Sequence, residues 1–425
     1  MIGWMFIIFA VCLLIGIPVG FSIGISSTAY LVLGSGIPVH IVIQKMVDGI
    51  NSFSYLALPL FVLSGSIMVY GSTPRLMRLA NLLLGRRPGG LGAAGSLACG
   101  FFGAISGSGV ATTASIGAIV GPEMVEQGYE KGFTASLIAA AGTLGLVIPP
   151  SVCMVVYAQN ASVSIGSMFL AGFIPGFLAV ALLGALSVVV AIRRNYKGRR
   201  VHVSSAREVV RIVLDALLPL LMPVIILGGV LSGVFTPTES ATVATVYAFL
   251  LAKFVYREMS WRQLYRTLVD SVRASAAILF IIAAATPFGW VLTMKNVTAI
   301  VSNAVLSAIH SPALIYLAIV LILCILGTFM ESFTIIILTT PIFLPIIQSI
   351  GVDPIAYGIV LMFCICIGGV TPPLAVCLFT SCRILKMRIE ETIPDVFLVI
   401  GILFIVTLLL MFIPQISLFL PMRAR

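Results

Sequence analysis

Charge is what this sequence has least of. Its 425 residues include 14 Asp and Glu, 24 Lys and Arg and 3 His, so charged residues make up 9% of the chain and hydrophobic ones 60%. A soluble core of this size needs far more polar surface. The mean hydropathy of +1.20 instead places the chain among polytopic α-helical membrane proteins. Short alternating strands are missing, which excludes a membrane β-barrel. The stretch 4–33 lacks a basic n-region and a small-residue cleavage site, so it reads as one or two retained spans and not a cleaved signal. Paired cysteine spacing with histidine partners is also missing. Cys364-Ile365-Cys366 and the other cysteines lie in or beside apolar runs and read as small packing residues, not metal ligands.

What is present in abundance is apolar sequence long enough to cross a bilayer, as at 217–234 and 396–412. The net charge of +10 comes from basic residues in the short loops between such runs. It therefore marks orientation, and no nucleic-acid partner is expected. The clusters are Arg75/Arg78/Arg86/Arg87; Arg193/Arg194/Lys197/Arg199/Arg200 with Arg207/Arg211; Lys253/Arg257/Arg262/Arg266/Arg273; and Arg383/Lys386/Arg388. Placed on one side with Lys131, they leave only Lys45, Lys295, Arg423 and Arg425 elsewhere, which makes that side cytoplasmic.

Within the apolar sequence a polar, broken pattern occurs twice. One copy runs from Ser106-Gly107-Ser108-Gly109 to Gly142-Thr143-Leu144-Gly145 and Pro149-Pro150; the other runs from Thr328-Phe329-Met330-Glu331-Ser332 to Gly368-Gly369-Val370-Thr371-Pro372-Pro373. One offset (345 − 122 = 223) superposes Pro122 on Pro345, Gly128 on Gly351, Gly145 on Gly368, Pro149 on Pro372 and Pro150 on Pro373. Chance supplies about a third of one such match over that window, so five matches mark an internal repeat.

The charge map then assigns the spans. The first repeat, 1–192, holds one or two spans within 4–35, an amphipathic stretch at 39–50 and a span at 54–71. It continues with a re-entrant hairpin at 89–124, a broken span at 132–158 and a span at 167–192. A basic cytoplasmic linker follows at 193–212. The second repeat, 213–425, has spans at 213–234 and 239–256, a basic arm at 259–270 and a span at 272–294. Its hairpin covers 310–350, its broken span 355–381 and its last span 393–420. Each half crosses an odd number of times, so the second is inverted relative to the first. The fold class is all-α, two inverted-topology repeats, each with a re-entrant hairpin and a broken transmembrane helix.

Inside a bilayer, irregular backbone persists only where protein or a hydrated cavity surrounds it. Each proline of Pro149-Pro150 lacks an N–H and disturbs the preceding turn, so the carbonyls of 142–148 are freed. With the first hairpin tip they form an oxygen cage suited to Na⁺, and the second tip and break form another. Half-helix N-termini facing the same space offer N–H groups to an anion. A single Gly-Ser-Gly or Pro-Pro would mark only a kink or close helix crossing; the matched pair points to transport. Glu331, the acidic residue at a hairpin tip, reads either as a functional carboxylate or as a cap on the returning half-helix. Glu239 in Thr236-Pro237-Thr238-Glu239-Ser240 reads as a helix cap. Asp215 and Asp270 read as surface charges, and His40, His202 and His310 as incidental loop-edge residues.

These motifs resemble the large membrane subunit (DctM family) of tripartite ATP-independent periplasmic (TRAP) transporters. The resemblance rests on Gly103-Ala104-Ile105-Ser106-Gly107-Ser108, residues 111–117, 142–151, 236–242 and 327–345, and Gly368-Gly369-Val370-Thr371-Pro372-Pro373, in the expected order along most of the chain. It implies an elevator-type secondary transporter in a bacterial or archaeal cytoplasmic (inner) membrane, not an enzyme. It also implies uptake of an organic acid delivered by a periplasmic solute-binding protein, with a small four-helix membrane subunit as partner and no cofactor beyond Na⁺ as coupling ion. The substrates implied are C4-dicarboxylates, keto acids, sugar acids or sialic acids. Matched position by position, Ser106, Gly107 and Ser108 with Gly142, Thr143 and Gly145 form one Na⁺ site. Gly327, Thr328 and Glu331 with Gly368, Gly369 and Thr371 form the other. The candidate substrate contacts are Ser108, Thr112, Ser332, Pro150 and Pro373, with Thr112 standing where some members carry an acidic group.

Two other readings compete. A Na⁺/anion symporter of the same wider superfamily works without a binding protein. An intramembrane protease, for which Gly107-Ser108-Gly109 is the cue, needs a buried His or an Asp pair that the spans lack.

Overall fold

Glycine and proline decide where this chain turns inside the membrane. The computed structural model describes residues 2–85, 88–196 and 205–424. Arg86, Arg87, Lys197, Arg199, Arg200, His202 and Arg425 lie outside the described residues. Among the described residues the regular structure is helical throughout, with seven helices long and apolar enough to cross a membrane.

In the first repeat, an outer limb (Gly90–Ser106) stops at Gly107, whose φ of +60° is the left-handed conformation that favours glycine. The return limb (Gly109–Glu126) then starts from Ser108, whose hydroxyl accepts from the Ala111 N–H. The hairpin opens and closes at one face. Ser187 Oγ donates to the Gly89 carbonyl at 3.0 Å, and Arg194 meets Glu130 at 2.7 Å, both contacts from the last turns of Ile165–Arg193 and its cap. The broken helix follows as Lys131–Thr143, a tight turn at Leu144–Leu146, Pro149-Pro150 and then Val152–Asn160. Its far end lies at the opposite face, where Tyr157 Oη donates to the Pro354 carbonyl at 2.5 Å.

That opposite face is the base of the second hairpin (Pro312–Phe329, Ser332–Ser349), with the Tyr316 and Tyr157 rings 6.4 Å and 6.3 Å from Tyr357. The second broken helix (Pro354–Val370, Val376–Leu385) crosses back, and Asp395 at the start of the last span (Asp395–Phe412) meets Arg194 at 2.6 Å. The repeats are therefore inverted. The return limbs start 223 residues apart (332 − 109), as do the broken helices (354 − 131).

Helices Gly3–Leu14, Val19–Ala29, Val39–Ile50, Ala57–Leu84, Ala206–Leu231, Pro237–Leu250 and Trp261–Met294 form the surrounding scaffold. Three of its basic segments meet: Arg75 pairs with Glu258 at 2.8 Å and stacks 3.7 Å over Tyr256, whose hydroxyl donates to the Asp215 carbonyl. Glu239 forms a capping box with Thr236, as its sequence context indicates. Several boundaries differ from the sequence reading. The arm and span expected at 259–270 and 272–294 are one helix, because no Gly or Pro interrupts them there. The span at 54–71 continues through a kink at Tyr70 and Gly71 to Leu84, Val297–Ala308 is an additional helix, and Ile413-Pro414 separates Gln415–Arg423 from the last span.

Candidate functional site

Both hairpin tips and both helix breaks open onto one cavity of about 420 Å³. Each arrives there by its own local chemistry. At the first tip the oxygens are organised among themselves: Thr112 Oγ1 donates to the Ser108 carbonyl at 2.8 Å and lies 2.8 Å from Ser106 Oγ. The first break closes on this knot through glycine. A methyl group placed on Gly145 would lie 2.8 Å from Thr112 Oγ1 and 2.9 Å from the Ser108 carbonyl oxygen, and one on Gly103 would lie 2.9 Å from the Gly145 Cα. Gly107 approaches the Pro150 carbonyl in the same way, at 3.0 Å.

Second tip and second break meet at Gly327 and Gly368, where a methyl on Gly327 would lie 3.1 Å from the Gly368 Cα. The Leu374 N–H donates to the Thr328 carbonyl at 3.1 Å and ties the tip to the break. Glu331 occupies the N-cap position of Ser332–Ser349, yet its side chain caps nothing and makes no hydrogen bond or ion pair among the described residues. It lines the cavity, which no described Lys or Arg does. The capping reading of Glu331 therefore has no side-chain contact to rest on.

Four half-helix N-termini reach the cavity, at Gly109–Glu126, Val152–Asn160, Ser332–Ser349 and Val376–Leu385. The first is capped by Ser108; the other three have no side-chain cap, so their first-turn N–H groups remain available to an anion.

Eight of the sequence-derived site residues line the cavity: Ser106, Gly107, Ser108, Gly327, Glu331, Ser332, Gly368 and Gly369. Thr112, Gly145 and Pro150 stand directly behind the first tip. Gly142 packs on Thr113, away from the cavity. Thr143, Thr328 and Thr371 each donate their hydroxyl to their own helix, at the carbonyls of Ala140, Ile325 and Ile367. The Thr143 carbonyl accepts from Cys366 Sγ, and Pro373 is exposed beside the break. Missed by the sequence reading are the scaffold residues that complete the wall, chiefly Gly65, Ser66, Ala274 and Ala277. No local motif marks them; they reach the site through tertiary packing.

This close packing makes a testable demand. Gly145→Ala is expected to lower stability by about 1–3 kcal/mol, the usual cost of overpacking, because its methyl meets two oxygens of the first tip. Thermal unfolding in detergent, compared with wild type, reads the effect; an unchanged melting temperature would mean that the tip has room to retreat.

Comparisons with known proteins accord with this geometry. The family model described as "Tripartite ATP-independent periplasmic transporter, DctM component" matches residues 6–416. The C4-dicarboxylate TRAP transporter large permease protein DctM of Pseudomonas aeruginosa is 37% identical over 402 residues, covering 94% of this chain and 93% of its own. The sialic acid TRAP transporter large permease protein SiaM of Vibrio cholerae is 33% identical over 420 residues, covering 99% and 97%. The isethionate TRAP transporter permease protein DctMQ of Oleidesulfovibrio alaskensis is 38% identical over 97% of this chain, which spans 65% of that protein's length. The crystal structure of the Alcanivorax borkumensis YdaH transporter shares the fold, with a TM-score of 0.61 over 89% of each chain at 15% identity.

Proposed function

The chain belongs to the DctM family of tripartite ATP-independent periplasmic transporters, and from that premise we propose that it performs Na⁺-coupled secondary uptake of an organic acid by an elevator motion. It is a multi-pass membrane permease and not an enzyme. The acid is of the C4-dicarboxylate, keto acid, sugar acid or sialic acid class. A periplasmic solute-binding protein delivers it, a small four-helix membrane subunit braces the scaffold, and the assembly sits in the bacterial or archaeal inner membrane.

The observation that carries this reading is the convergence of two inverted tips and two breaks on one cavity. Three uncapped helix N-termini there offer N–H groups to carboxylate oxygens where no described Lys or Arg does. The clustered Ser106, Ser108 and Thr112 oxygens supply hard ligands for Na⁺ at the first cage. At the second, Glu331 supplies a negative charge.

Elevator motion needs a unit that moves without deforming, and contacts between the repeats support one. Cys366 Sγ donates to the Thr143 carbonyl, Ser381 Oγ to the Ala135 carbonyl at 2.7 Å, and Tyr157 Oη to the Pro354 carbonyl. Hairpins and broken helices would thus travel together against the scaffold.

Reconstituted with its two partners, the protein is expected to accumulate an organic acid only under an inward Na⁺ gradient. Uptake that persists when K⁺ replaces Na⁺ would sink the coupling assignment. Uptake that needs no binding protein would favour the stand-alone symporter.

A further inference from the structure

Gly65 lies inside the scaffold helix Ala57–Leu84, fully within a regular segment where glycine is a poor helix former. What glycine provides there is proximity. A methyl group placed on Gly65 would lie 2.8 Å from the Ser106 carbonyl oxygen, 2.9 Å from the Ser106 Cα and 3.2 Å from its carbonyl carbon. These are backbone atoms, so no flexible side-chain end can swing aside to admit it. The scaffold therefore touches the backbone of the first hairpin tip. Ser106 is also the residue whose hydroxyl lies 2.8 Å from Thr112 Oγ1 and 3.3 Å from the Ser108 carbonyl oxygen. Val62 and Ser66, on the same helix, line the cavity beside this contact.

The contact is one-sided. The equivalent scaffold helix of the second repeat, Trp261–Met294, reaches the cavity with Ala274, Ala277 and Ile278. Its single glycine, Gly289, has nothing within 4 Å of where a methyl would stand. Among the described glycines of the scaffold helices, Gly65 alone would set a methyl against the backbone of a hairpin tip.

We propose that Gly65 is a positioning residue for the first ion cage, through which the scaffold registers the geometry of the Ser106–Thr112–Ser108 oxygens. Resting on the transport reading above, it gives that reading a coupling device. A cation drawing these oxygens inward seats the tip against Gly65, and an empty tip seats less well. The scaffold contact is then made best by the loaded transport unit. Gly65 acts on the ion through Ser106, from its place in the cavity wall.

The test begins with the wild-type protein in nanodiscs, by hydrogen–deuterium exchange in Na⁺ and in K⁺. Na⁺ is expected to slow exchange both in the tip segment 103–112 and in the scaffold segment 62–67. Protection of 103–112 alone would overturn the positioning role while leaving Na⁺ binding at the tip intact. Protection of neither, with uptake indifferent to Na⁺, would remove the inference together with the function it rests on. In proteoliposomes, Gly65→Ala is expected to raise the Na⁺ concentration for half-maximal uptake about three- to tenfold, a coupling of ordinary size between packed sites, and to raise it by a larger factor than the KM for the acid. An unchanged Na⁺ response in a normally accumulating variant would overturn the proposal. Should this variant fail to accumulate, the exchange measurement decides alone.

Discussion

Glutamine in place of Glu331 is expected to leave membrane insertion and abundance intact and to raise the Na⁺ concentration for half-maximal uptake roughly ten- to a hundredfold. The substitution keeps shape and removes charge. Because the carboxylate has no hydrogen-bond or salt-bridge partner among the described residues and does not cap Ser332–Ser349, nothing inside the fold is lost with it. The energetic scale follows from Coulomb's law. A unit charge pair at 4 Å is worth about 1 kcal/mol in bulk water and about 4 kcal/mol at an effective dielectric constant of 20. Glu331 lines the cavity, and a cation beside it falls between these limits, where about 1.4 kcal/mol is tenfold in affinity. A Na⁺ titration of uptake in proteoliposomes checks it. A wild-type titration curve would place the second cation elsewhere. A collapse of thermal stability with little change in Na⁺ dependence would return Glu331 to the helix-capping reading.

That prediction depends on a residue the sequence could place but not interpret. The repeat was legible because glycine and proline act locally. Gly107 and Gly351 have φ of +60° and +82°, and the matched Pro-Pro pairs end helices wherever they occur. The same local logic failed where no interruption marks a boundary, as in Trp261–Met294, which runs from arm to span without a break. It also failed at Gly71, whose φ of +87° kinks Ala57–Leu84 without ending it.

Within the site, tip positions were legible and rotamers were not. Nothing in the sequence distinguishes Thr112, whose hydroxyl also meets Ser106 Oγ across the tip, from Thr143 or Thr371, whose hydroxyls bond only back onto their own helices. Gly65, Ala274 and Ala277 were invisible for a different reason. Their role exists only once the scaffold helices are laid against the tips. The asymmetry between the tips is likewise tertiary. The first is internally bonded and touched by the scaffold, whereas the second presents an unpaired carboxylate.

Arg194→Met is expected to destabilise the solubilised protein by about 3 kcal/mol, the lower end of the cost of stranding a buried charge. Arg194 follows the span Ile165–Arg193 and holds two carboxylates in unequal surroundings. Glu130, at 2.7 Å, has a side chain 59% exposed, whereas that of Asp395, at 2.6 Å, is 5% exposed. The Asp395 hydrogen bond holds the guanidinium above its usual basic range, despite the opposing effect of burial. Water can take over the Glu130 contact, so Glu130→Gln should cost no more than about 1 kcal/mol. It cannot do so for Asp395, which is enclosed near Gly132. Removing the arginine leaves that carboxylate without its partner. Adding Asp395→Asn to Arg194→Met is therefore expected to recover more than half of the loss, and a double-mutant cycle on thermal unfolding measures the coupling directly. Strict additivity of the two substitutions would show that the pair contributes little. A large coupling would identify Arg194 as the clamp joining the base of the first hairpin to the start of the last span, holding the two repeats together at that face.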